Sequence, residues 1–399
     1  RVGGRTSGIS VRGFKEDFTG TSLNGRELIG IGDNRGVEYD LYPAEIMTGA
    51  TIYKTTDATL LVQGIGGTVD LQTVRPLAAQ ETLTFTGAYE KSGNDSDNPE
   101  FDNTGKRFAL SFVEKFADDT IGIAVALATT ESPRNERKYG VWGYAANDDG
   151  QIMPTGLDTQ AISRVLDRDT ISGIFQWRPT DDLDIVVDVL DIDYSDSGVI
   201  RGFIEPFAAE NVTGSGVNVS GTQVNANPVL RTDPAQKDGE LQTFGLNVTY
   251  NVNDNWTVEV DVADSESSKR DLRGESYAGL ARSGALSSDE FGSRQFQMSS
   301  DGIFFTGSSG LGAFADPNLL QLTGPQVWGG GMANIADQFT TNVLQANGDP
   351  YSYFNAQDGF LNYADFDEEL TTARVEAVGY IDWNIFTKFT AGVNYSDRY

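Results

Sequence analysis

Strict alternation of apolar and polar residues is the feature of this sequence that most constrains its fold. In the cleanest run, Trp256, Val258, Val260 and Val262 alternate with Thr257, Glu259 and Asp261. Alternation with a period of two residues predicts a β-strand with one apolar and one polar face. Comparable runs, each about ten residues long, bring the predicted total to about nine strands. They lie at 81–91, 106–116, 120–130, 169–178, 183–194, 241–252, 256–264, 371–383 and 385–396.

The connections between these predicted strands alternate between short and long. Tight turns at 116–119, 179–182, 251–255 and around 382–384 separate long excursions at 92–105, 131–165, 197–238 and 269–367. Aromatic residues at strand ends, such as Trp177, Trp256 and Trp383, suit the two interfaces of a membrane barrel. A soluble sandwich gives no reason for every long loop to lie at one end, so the pattern favours a transmembrane β-barrel.

One of these runs, 183–194, changes the phase of its alternation. The change falls near Val189 and Leu190. It indicates either a β-bulge or the point at which the strand leaves its apolar layer.

The composition works against several other classes of function. The chain of 399 residues carries a net charge of −29, which disfavours binding to nucleic acid. It contains no cysteine and no histidine, and this removes zinc–thiolate sites as well as Ser-His-Asp and Cys-His catalysis. No apolar run reaches the ~20 residues of a membrane-spanning helix. Carboxylate, lysine and tyrosine chemistry stay open, but no nucleophile–base pair can be assembled, so we expect neither an enzyme nor a bound cofactor or metal.

Four motifs follow one another between Ile9 and Pro76. They are ISVRGF at 9–14, LNGREL at 23–28, YDLYPAEIMTGATIYKT at 39–55 and LVQGIGGTVDLQTVRP at 61–76. In this order they closely resemble the plug domain of TonB-dependent outer-membrane receptors. The resemblance implies an all-β membrane protein, with a small α+β plug inside an antiparallel transmembrane β-barrel of about 22 strands. It also implies active import, with energy delivered by TonB through the N-terminal segment of the plug.

The resemblance divides the chain into a plug domain at 1–78 and the first part of a barrel at 79–399. About nine strands are fewer than the family's barrels use, and no TonB-binding segment precedes Arg1. We therefore expect a portion of a larger receptor that does not transport by itself. The implied location is the bacterial outer membrane, and the implied partners are TonB, outer-membrane lipid, lipopolysaccharide and an accessory surface lipoprotein.

Local chemistry gives structural roles to the first plug motifs. Arg12, Gly13 and Phe14 are expected in a strand and turn, with Arg12 close to carboxylates of the barrel lumen. Asn24, Gly25 and Arg26 carry a type I′ turn signature. Pro43 followed by Glu45 predicts the start of a helix.

The later plug motifs predict close packing and an exit into the barrel. Gly64, Gly66 and Gly67 are expected to take positive φ and to pack closely against the barrel wall. Arg75 and Pro76 are expected to stop pairing within the plug and to direct the chain into the first barrel strand.

Charged residues are interpreted as parts of the interface between plug and barrel. Arg12 and Arg26 are expected to form structural ion pairs and not ligand contacts. The charges expected to solvate the plug interface from the lumen are Arg107, Glu259, Asp261, Arg374 and Glu376. The acidic loop at 93–103 has oxygen ligands that suit Ca²⁺, but its spacing is not that of an EF-hand, and a solvated loop is favoured.

Aromatic residues of the long loops are the candidates for substrate contact, because amphipathic rings beside polar groups suit sugars. They are Tyr139, Trp142, Tyr144, Trp328, Tyr351, Tyr353 and Phe354. The expected substrate is an oligosaccharide. A ferric siderophore or another metal complex is the alternative within the family. A surface glycan-binding protein or adhesin without transport is the alternative from another class.

Overall fold

The computed structural model describes residues 8–31, 36–42, 44–226, 228–279, 292–310, 326–328, 340–344, 350–354 and 359–399. Their strands are β1 (Thr19–Leu23), β2 (Arg26–Glu27), β3 (Met47–Tyr53), β4 (Gly67–Thr73), β5 (Thr82–Lys91), β6 (Thr104–Phe116), β7 (Ile121–Ala146), β8 (Ile152–Thr180), β9 (Leu183–Pro206), β10 (Ala208–Ser215), β11 (Asn218–Ala226), β12 (Val229–Asn253), β13 (Trp256–Gly279), β14 (Gly292–Ser299), β15 (Gly302–Ser309), β16 (Gln326–Trp328), β17 (Thr340–Leu344), β18 (Pro350–Phe354), β19 (Gly359–Trp383) and β20 (Phe386–Arg398). Short 3-10 helices lie at Glu16–Phe18, Tyr39–Leu41 and Ala44–Ile46. Within these ranges, no helix has the length and apolar character needed to cross a membrane.

The N-terminal domain, from residue 8 to residue 79, is built on a four-stranded sheet in the order β2-β1-β4-β3. β1 and β4 are parallel, and the other two pairs are antiparallel. Asn24 and Gly25 join β1 to β2 with φ angles of 53° and 82°, the positive values that a type I′ turn requires. The Asp70 carboxylate on β4 accepts from Ser22 Oγ at 2.7 Å and from the Gly25 N–H at 2.8 Å, which fixes this hairpin.

The helix predicted from Pro43 onward does not form in the described residues, so the α+β prediction for this domain is wrong there. Pro43 lies outside the described residues. Ala44–Ile46 make one 3-10 turn, and Met47 begins β3 at the next position. Because Met47 pairs with Thr73 of β4, the backbone joins the sheet before a second helical turn can follow the costly first one.

A ten-stranded sheet dominates the rest of the described chain. Nine of its strands form an antiparallel meander, in the order β5, β6, β7, β8, β9, β12, β13, β19 and β20. β16 adds to it in parallel with β19. The connections β6–β7, β8–β9, β12–β13 and β19–β20 are short and lie together at one end of the sheet. We call the opposite end the far end.

Six strands of this sheet, β7, β8, β9, β12, β13 and β19, are much longer than the ten residues expected from the sequence. β7, β8 and β9 contain 26, 29 and 24 residues. The segment 131–165, predicted as a loop, is largely a continuation of β7 and β8 toward the far end. The segment 197–238, also predicted as a loop, continues β9 and β12 at its two ends and forms β10 and β11 between them. Pro133 to Arg137 does not alternate in hydropathy, yet its backbone stays in register with β8. Backbone pairing needs no apolar face, so the sequence pattern detected only the part of each strand that has one.

The two faces of the large sheet have the opposite polarity to those of a soluble sheet. We call the face against the N-terminal domain the inner face and the other the outer face. On β13, Val260 and Val262 of the outer face are 37% and 39% exposed, whereas Asp261 between them is buried on the inner face. Exposed apolar side chains continue across the outer face and include Phe85, Leu110, Leu127, Ile171, Phe175, Phe244 and Val375. The N-terminal domain therefore covers the polar face.

An apolar cluster joins the N-terminal domain to the inner face. Leu190 and Ile192 of β9 and Leu241 of β12 are buried in one cluster with Ile29 of the domain. β9 pairs with β12 through this region without a register shift. The change of phase near Val189 is therefore not a bulge. The strand stays regular, and its inner face becomes apolar where the apolar surface of the domain meets it.

Two of the long excursions meet in a separate four-stranded sheet, in the order β10-β11-β14-β15. Phe296 of β14 is buried with Leu157 of β8 and lies edge to face with Phe207, with ring centroids 5.1 Å apart. Arg294 of β14 donates to the buried Glu205 of β9. These contacts hold the small sheet against the far end of the large one. β17 and β18 form a further two-stranded pair.

Candidate functional site: a charged cavity between the N-terminal domain and the sheet

Arg26 fixes the N-terminal domain to the inner face. Its Nε and Nη2 donate to Asp261 of β13 at 2.7 and 3.0 Å, and its Nη1 donates to both carboxylate oxygens of Asp188 of β9 at 2.7 and 2.8 Å. Burial by itself lowers the pKa of Arg26, but its hydrogen bonds and charge contacts with Asp261 and Asp188 outweigh this, and the pKa is raised. Arg26 is thus a structural ion pair with the sheet.

Two more ion pairs join the N-terminal domain to the sheet. Arg107 Nη2 of β6 donates to Glu45 Oε1 at 2.6 Å, and Arg398 Nη1 of β20 donates to Glu27 Oε1 at 3.1 Å. The polar contacts therefore extend over both sides of the meander.

The remaining charges predicted for the lumen stay within the sheet. Glu259 accepts from Asn247 at 3.0 Å, and Arg374 donates to Glu376 on the same strand at 2.8 Å. They form polar links along the inner face beside the domain.

The first predicted plug motif forms a second tight turn. Arg12 and Gly13 have φ angles of 57° and 83° between the bridged residues Val11 and Phe14. Arg12 is exposed, and its Nη1 donates to the backbone carbonyl of Lys54 at 2.8 Å. The contact seen for Arg12 is therefore inside the domain and not with a carboxylate of the sheet.

The glycine motif was expected to pack against the barrel wall, but it packs inside the N-terminal domain. Of Gly64, Gly66 and Gly67, only Gly67 has a φ in the left-handed region, at 143°. A Cβ on Gly64 would lie 2.3 Å from the backbone nitrogen of Gly20. The motif therefore lets two backbone segments of the domain approach each other.

Arg75 and Pro76 lie where the chain leaves the domain. The Arg75 carbonyl accepts from the N–H groups of Ala78 and Ala79 at 2.9 and 3.0 Å. The Leu77 N–H donates to Gln176 Oε1 of β8 at 3.0 Å. This turn directs the chain into β5.

A cavity of about 740 Å³ opens between the N-terminal domain and the inner face. The domain contributes Glu16, Glu38 and the apolar side chains Ile31, Val37 and Leu41. The sheet contributes mostly charged side chains, namely Arg134, Arg164, Asp196, Arg231, Asp233, Lys237, Asp271, Arg273 and Glu275. The sequence interpretation did not select these residues as a site.

The strand register arranges these charges in rows across the sheet. We call Arg134, Arg164 and Arg273 the basic row, which the pairs Arg134↔Arg164↔Gly198↔Ala235↔Arg273 place at one level. Two residues further toward the far end lies the upper acidic row, made of Asp233 and Glu275 from the cavity lining and of Glu136, which is at the same level but is not part of the lining. Two residues in the other direction lies the lower acidic row, Asp196 and Asp271, with Lys237 between them in register. Adjacent rows are therefore about 7 Å apart.

Each guanidinium of the cavity has a carboxylate partner from a neighbouring row. Arg134 pairs with Glu136 at 2.5 Å, and Arg164 pairs with Asp196 at 3.0 Å. Arg273 pairs with Asp271 at 2.6 Å. Arg231 pairs with Asp233 at 2.6 Å and with Glu275 at 2.8 Å. Opposite charges two residues apart in a strand share a face, and this spacing is the signal by which the sequence could have revealed the site.

The acidic loop at 93–103 is docked on the sheet and is more than a solvated loop. Asn98 is 1% exposed and donates to Ser163 Oγ at 2.9 Å. Asp97 accepts from Arg137 at 2.5 and 2.8 Å, and Glu100 accepts from Arg201 Nη1 at 2.7 Å. The hydrogen bonds from Arg201 and, to a smaller extent, a backbone hydrogen bond lower the pKa of Glu100 to about 2. The two carboxylates thus serve as partners of arginines.

The aromatic residues predicted to bind substrate lie apart from the cavity lining where their side chains are described. Tyr139, Trp142 and Tyr144 lie near the far end of β7 and are 49%, 43% and 60% exposed. Trp328 in β16, and Tyr351, Tyr353 and Phe354 in β18, are described by backbone pairing alone. Their side chains lie outside the described part of the chain. The aromatic residues that do line the cavity are Tyr194 and Phe360.

No family model and no curated protein sequence matches the chain. Among solved structures, it is similar to the outer membrane transporter YddB from Escherichia coli, with a TM-score of 0.35, 10% identity and coverage of 99% of this chain and 50% of that one. It is also similar to the ferripyoverdine receptor of Pseudomonas aeruginosa, with a TM-score of 0.35, 9% identity and coverage of 98% and 46%. For the siderophore receptor PiuA from Acinetobacter baumannii the TM-score is 0.25, the identity 9% and the coverage 99% and 74%.

The chain spans about half the length of the first two of these proteins. At these TM-scores the likenesses carry no argument about what the chain binds. The solved structures that it matches are TonB-dependent outer-membrane receptors, the class that its N-terminal motifs resemble.

Proposed function

We propose that this chain supplies the plug and part of the barrel wall of an outer-membrane importer driven through TonB. The observation that carries the proposal is the polarity of the large sheet. Asp261 holds Arg26 of the N-terminal domain on the inner face, while Val260 and Val262 on either side of it are open on the outer face. This arrangement suits a wall with lipid on one side and a polar plug on the other.

The extent of the apolar outer surface supports a membrane position. On β8 and β13 the exposed apolar residues occupy the part next to the short turns, as with Ile171 to Trp177. About ten residues of a tilted strand are enough to cross the hydrocarbon core. Further along, the exposed carboxylates of Asp169, Asp193 and Glu240 stand directly opposite one another on β8, β9 and β12. This charged row suits the boundary with water, next to the headgroups of lipopolysaccharide.

The contacts of the N-terminal domain suit a plug that can be displaced. Its ion pairs, such as those of Arg26 and Arg107, lie on a polar inner surface that water can solvate once the domain moves. In the proposed mechanism, TonB pulls on the N-terminal side of the domain, and the cavity then becomes continuous with a path along the sheet. No covalent chemistry is required.

For the substrate we propose an oligosaccharide bound in the cavity, with a ferric siderophore or another metal complex as the alternative within the same function. The exposed rings of Tyr139, Trp142 and Tyr144 lie toward the far end, where an arriving ligand would first meet the protein. Trp328, Tyr351, Tyr353 and Phe354 remain candidates of the same kind. A surface lipoprotein that covers this end is a further proposed partner.

A surface glycan-binding protein or adhesin without transport is the competing function. Cells that produce the full-length receptor would be given fluorescent oligosaccharides, with and without TonB and with and without an uncoupler of the proton gradient. An importer is expected to accumulate label only with TonB and an intact gradient, and to retain surface binding in all four conditions. Binding without energy-dependent accumulation would establish the adhesin instead.

A further inference from the structure

The positive and negative charges of the cavity wall are nearly equal in number. Its lining contains five basic and six acidic side chains, which leaves a net charge of −1. The guanidinium groups of Arg134, Arg164, Arg231 and Arg273 each lie between 2.5 and 3.0 Å from a carboxylate. The wall therefore presents many charged groups but little net field.

A balanced wall discriminates between classes of ligand. An anionic chelate would lose hydration on entry and would find guanidinium groups whose charge is already matched by neighbouring carboxylates. An uncharged ligand with many hydroxyls loses less hydration, and each of its hydroxyls can both donate and accept. It can bridge a guanidinium in one row and a carboxylate in the next.

The alternating rows repeat guanidinium and carboxylate groups along the length of the cavity. The basic row lies between the upper and lower acidic rows, at steps of about 7 Å. The N-terminal domain adds Ile31, Val37 and Leu41 beside Glu16 and Glu38. Such mixed surfaces suit sugar rings, which have apolar faces and polar rims.

We infer that the cavity selects an uncharged, polyhydroxylated ligand, and that the acidic rows are the specificity determinant because they cancel the charge of the basic row. This inference rests on the proposed function of the site. Asp196 and Asp271 are the groups that set the balance most directly, since each pairs with an arginine of the basic row.

The test is a binding titration on the purified full-length receptor in detergent. The probes are neutral glucan, xylan and mannan oligosaccharides, an oligogalacturonate as the anionic sugar, and ferric citrate as the anionic chelate. Isothermal calorimetry is expected to show binding of at least one neutral oligosaccharide, with an affinity that hardly changes with salt. The two anionic probes are expected to bind more than tenfold more weakly.

The decisive variant is Asp196→Asn with Asp271→Asn, which leaves the basic row unbalanced. Its preference for oligogalacturonate over the neutral oligosaccharide is expected to rise about tenfold, and this gain should fade at high salt. The matched control is Asp191→Asn with Asp264→Asn, which removes the same charge from the outer face of the same two strands. Its preference should change less than twofold.

Three results would overturn the inference: no neutral oligosaccharide binds, an anionic probe binds more tightly than every neutral one, or the two double variants shift the preference equally. The proposed function fails separately. Energy-dependent uptake of an anionic chelate would keep the importer and reject this inference. Selective binding of a neutral oligosaccharide without energy-dependent uptake would support this inference and reject the importer.

Discussion

The guanidinium of Arg26 lies between two carboxylates of different strands, Asp188 of β9 and Asp261 of β13, each at 2.7 Å. All three side chains are largely buried. This contact joins the N-terminal domain to the centre of the sheet, where two acidic residues would otherwise face each other without a cation.

Replacement of Arg26 by alanine is therefore expected to weaken the docking of the N-terminal domain by about 3–5 kcal/mol, because two buried carboxylates lose their partner. A urea titration of the purified protein in detergent, followed by protease cleavage of the released domain, measures this change. The matched control is Arg12→Ala, since Arg12 is exposed and donates to a carbonyl of its own domain. Its effect should stay within about 0.5 kcal/mol, and equal effects of the two variants would contradict the role given to Arg26.

A methyl group at Gly64 is expected to disrupt the fold of the N-terminal domain. It would lie 2.3 Å from the nitrogen of Gly20 and 2.5 Å from the carbonyl oxygens of Phe18 and Gly67, all of them backbone atoms. Gly64→Ala should therefore cost about 3 kcal/mol or more, at the upper end of overpacking effects. Gly49→Ala is the control, because its added methyl comes no closer than 3.8 Å to Gln72. Thermal unfolding of both variants measures the difference, and a Gly64 variant as stable as the control would show that this backbone contact is wrong.

A charge on the outer face is expected to oppose insertion into a bilayer. In the proposed membrane position, Val262→Arg should destabilise the folded protein in phosphatidylcholine vesicles by about 2–4 kcal/mol, the cost of a cation near the middle of the membrane. Ser268→Arg places the same side chain on the same face of β13, in the row of Asp193 and Glu240 at the proposed boundary with water. Its cost should be near zero. Reversible folding in urea compares the two, and equal costs would place Val262 outside the lipid.

The acidic loop at 93–103 is expected to undock only in strong acid. The pKa of Glu100 is lowered from 4.5 to about 2, so its contribution to docking is fully present above the ordinary pKa and is lost as the pH falls toward 2. A spin label on Gly93→Cys can report loop mobility, since the chain has no other cysteine. The label should stay immobile at pH 4 to 5 and become mobile only as the pH approaches about 2.

Arg201→Gln is the control for this titration. Without Arg201, the loop should become mobile nearer to the ordinary pKa of a glutamate. A mobility transition at the same pH in both proteins would exclude the pair of Glu100 and Arg201 as its cause.

The sequence predicted the part of the fold that depends on contrast between apolar and polar faces. The run from Trp256 to Val262 alternates because one face is open and the other meets the N-terminal domain, and there the strand was located correctly. The extensions, such as Pro133 to Arg137, have no such contrast. Their pairing depends on backbone hydrogen bonds and on partners distant in sequence, which a local pattern does not contain.

The cavity escaped prediction for a related reason. Arg231 and Asp233 are two residues apart, as are Asp271 and Arg273, so each pair can be recognised as sharing a face. Their alignment into rows depends on the register between β12 and β13, and that register is a property of the folded sheet. Tyr139 and Trp142 were predicted as substrate contacts because they are aromatic residues in a polar stretch. Their exposed rings lie away from the charged lining of the cavity.

The length of β8 has a consequence for how a large solute reaches this protein. Its 29 residues span about 95 Å, and at a tilt of about 40° they would rise roughly 70 Å along the membrane normal. The hydrocarbon core accounts for only about 30 Å of that height. In the proposed orientation the far end of β8 extends well beyond the lipid surface. A bulky polymer can therefore bind there without displacing the sugar chains of the surrounding lipopolysaccharide.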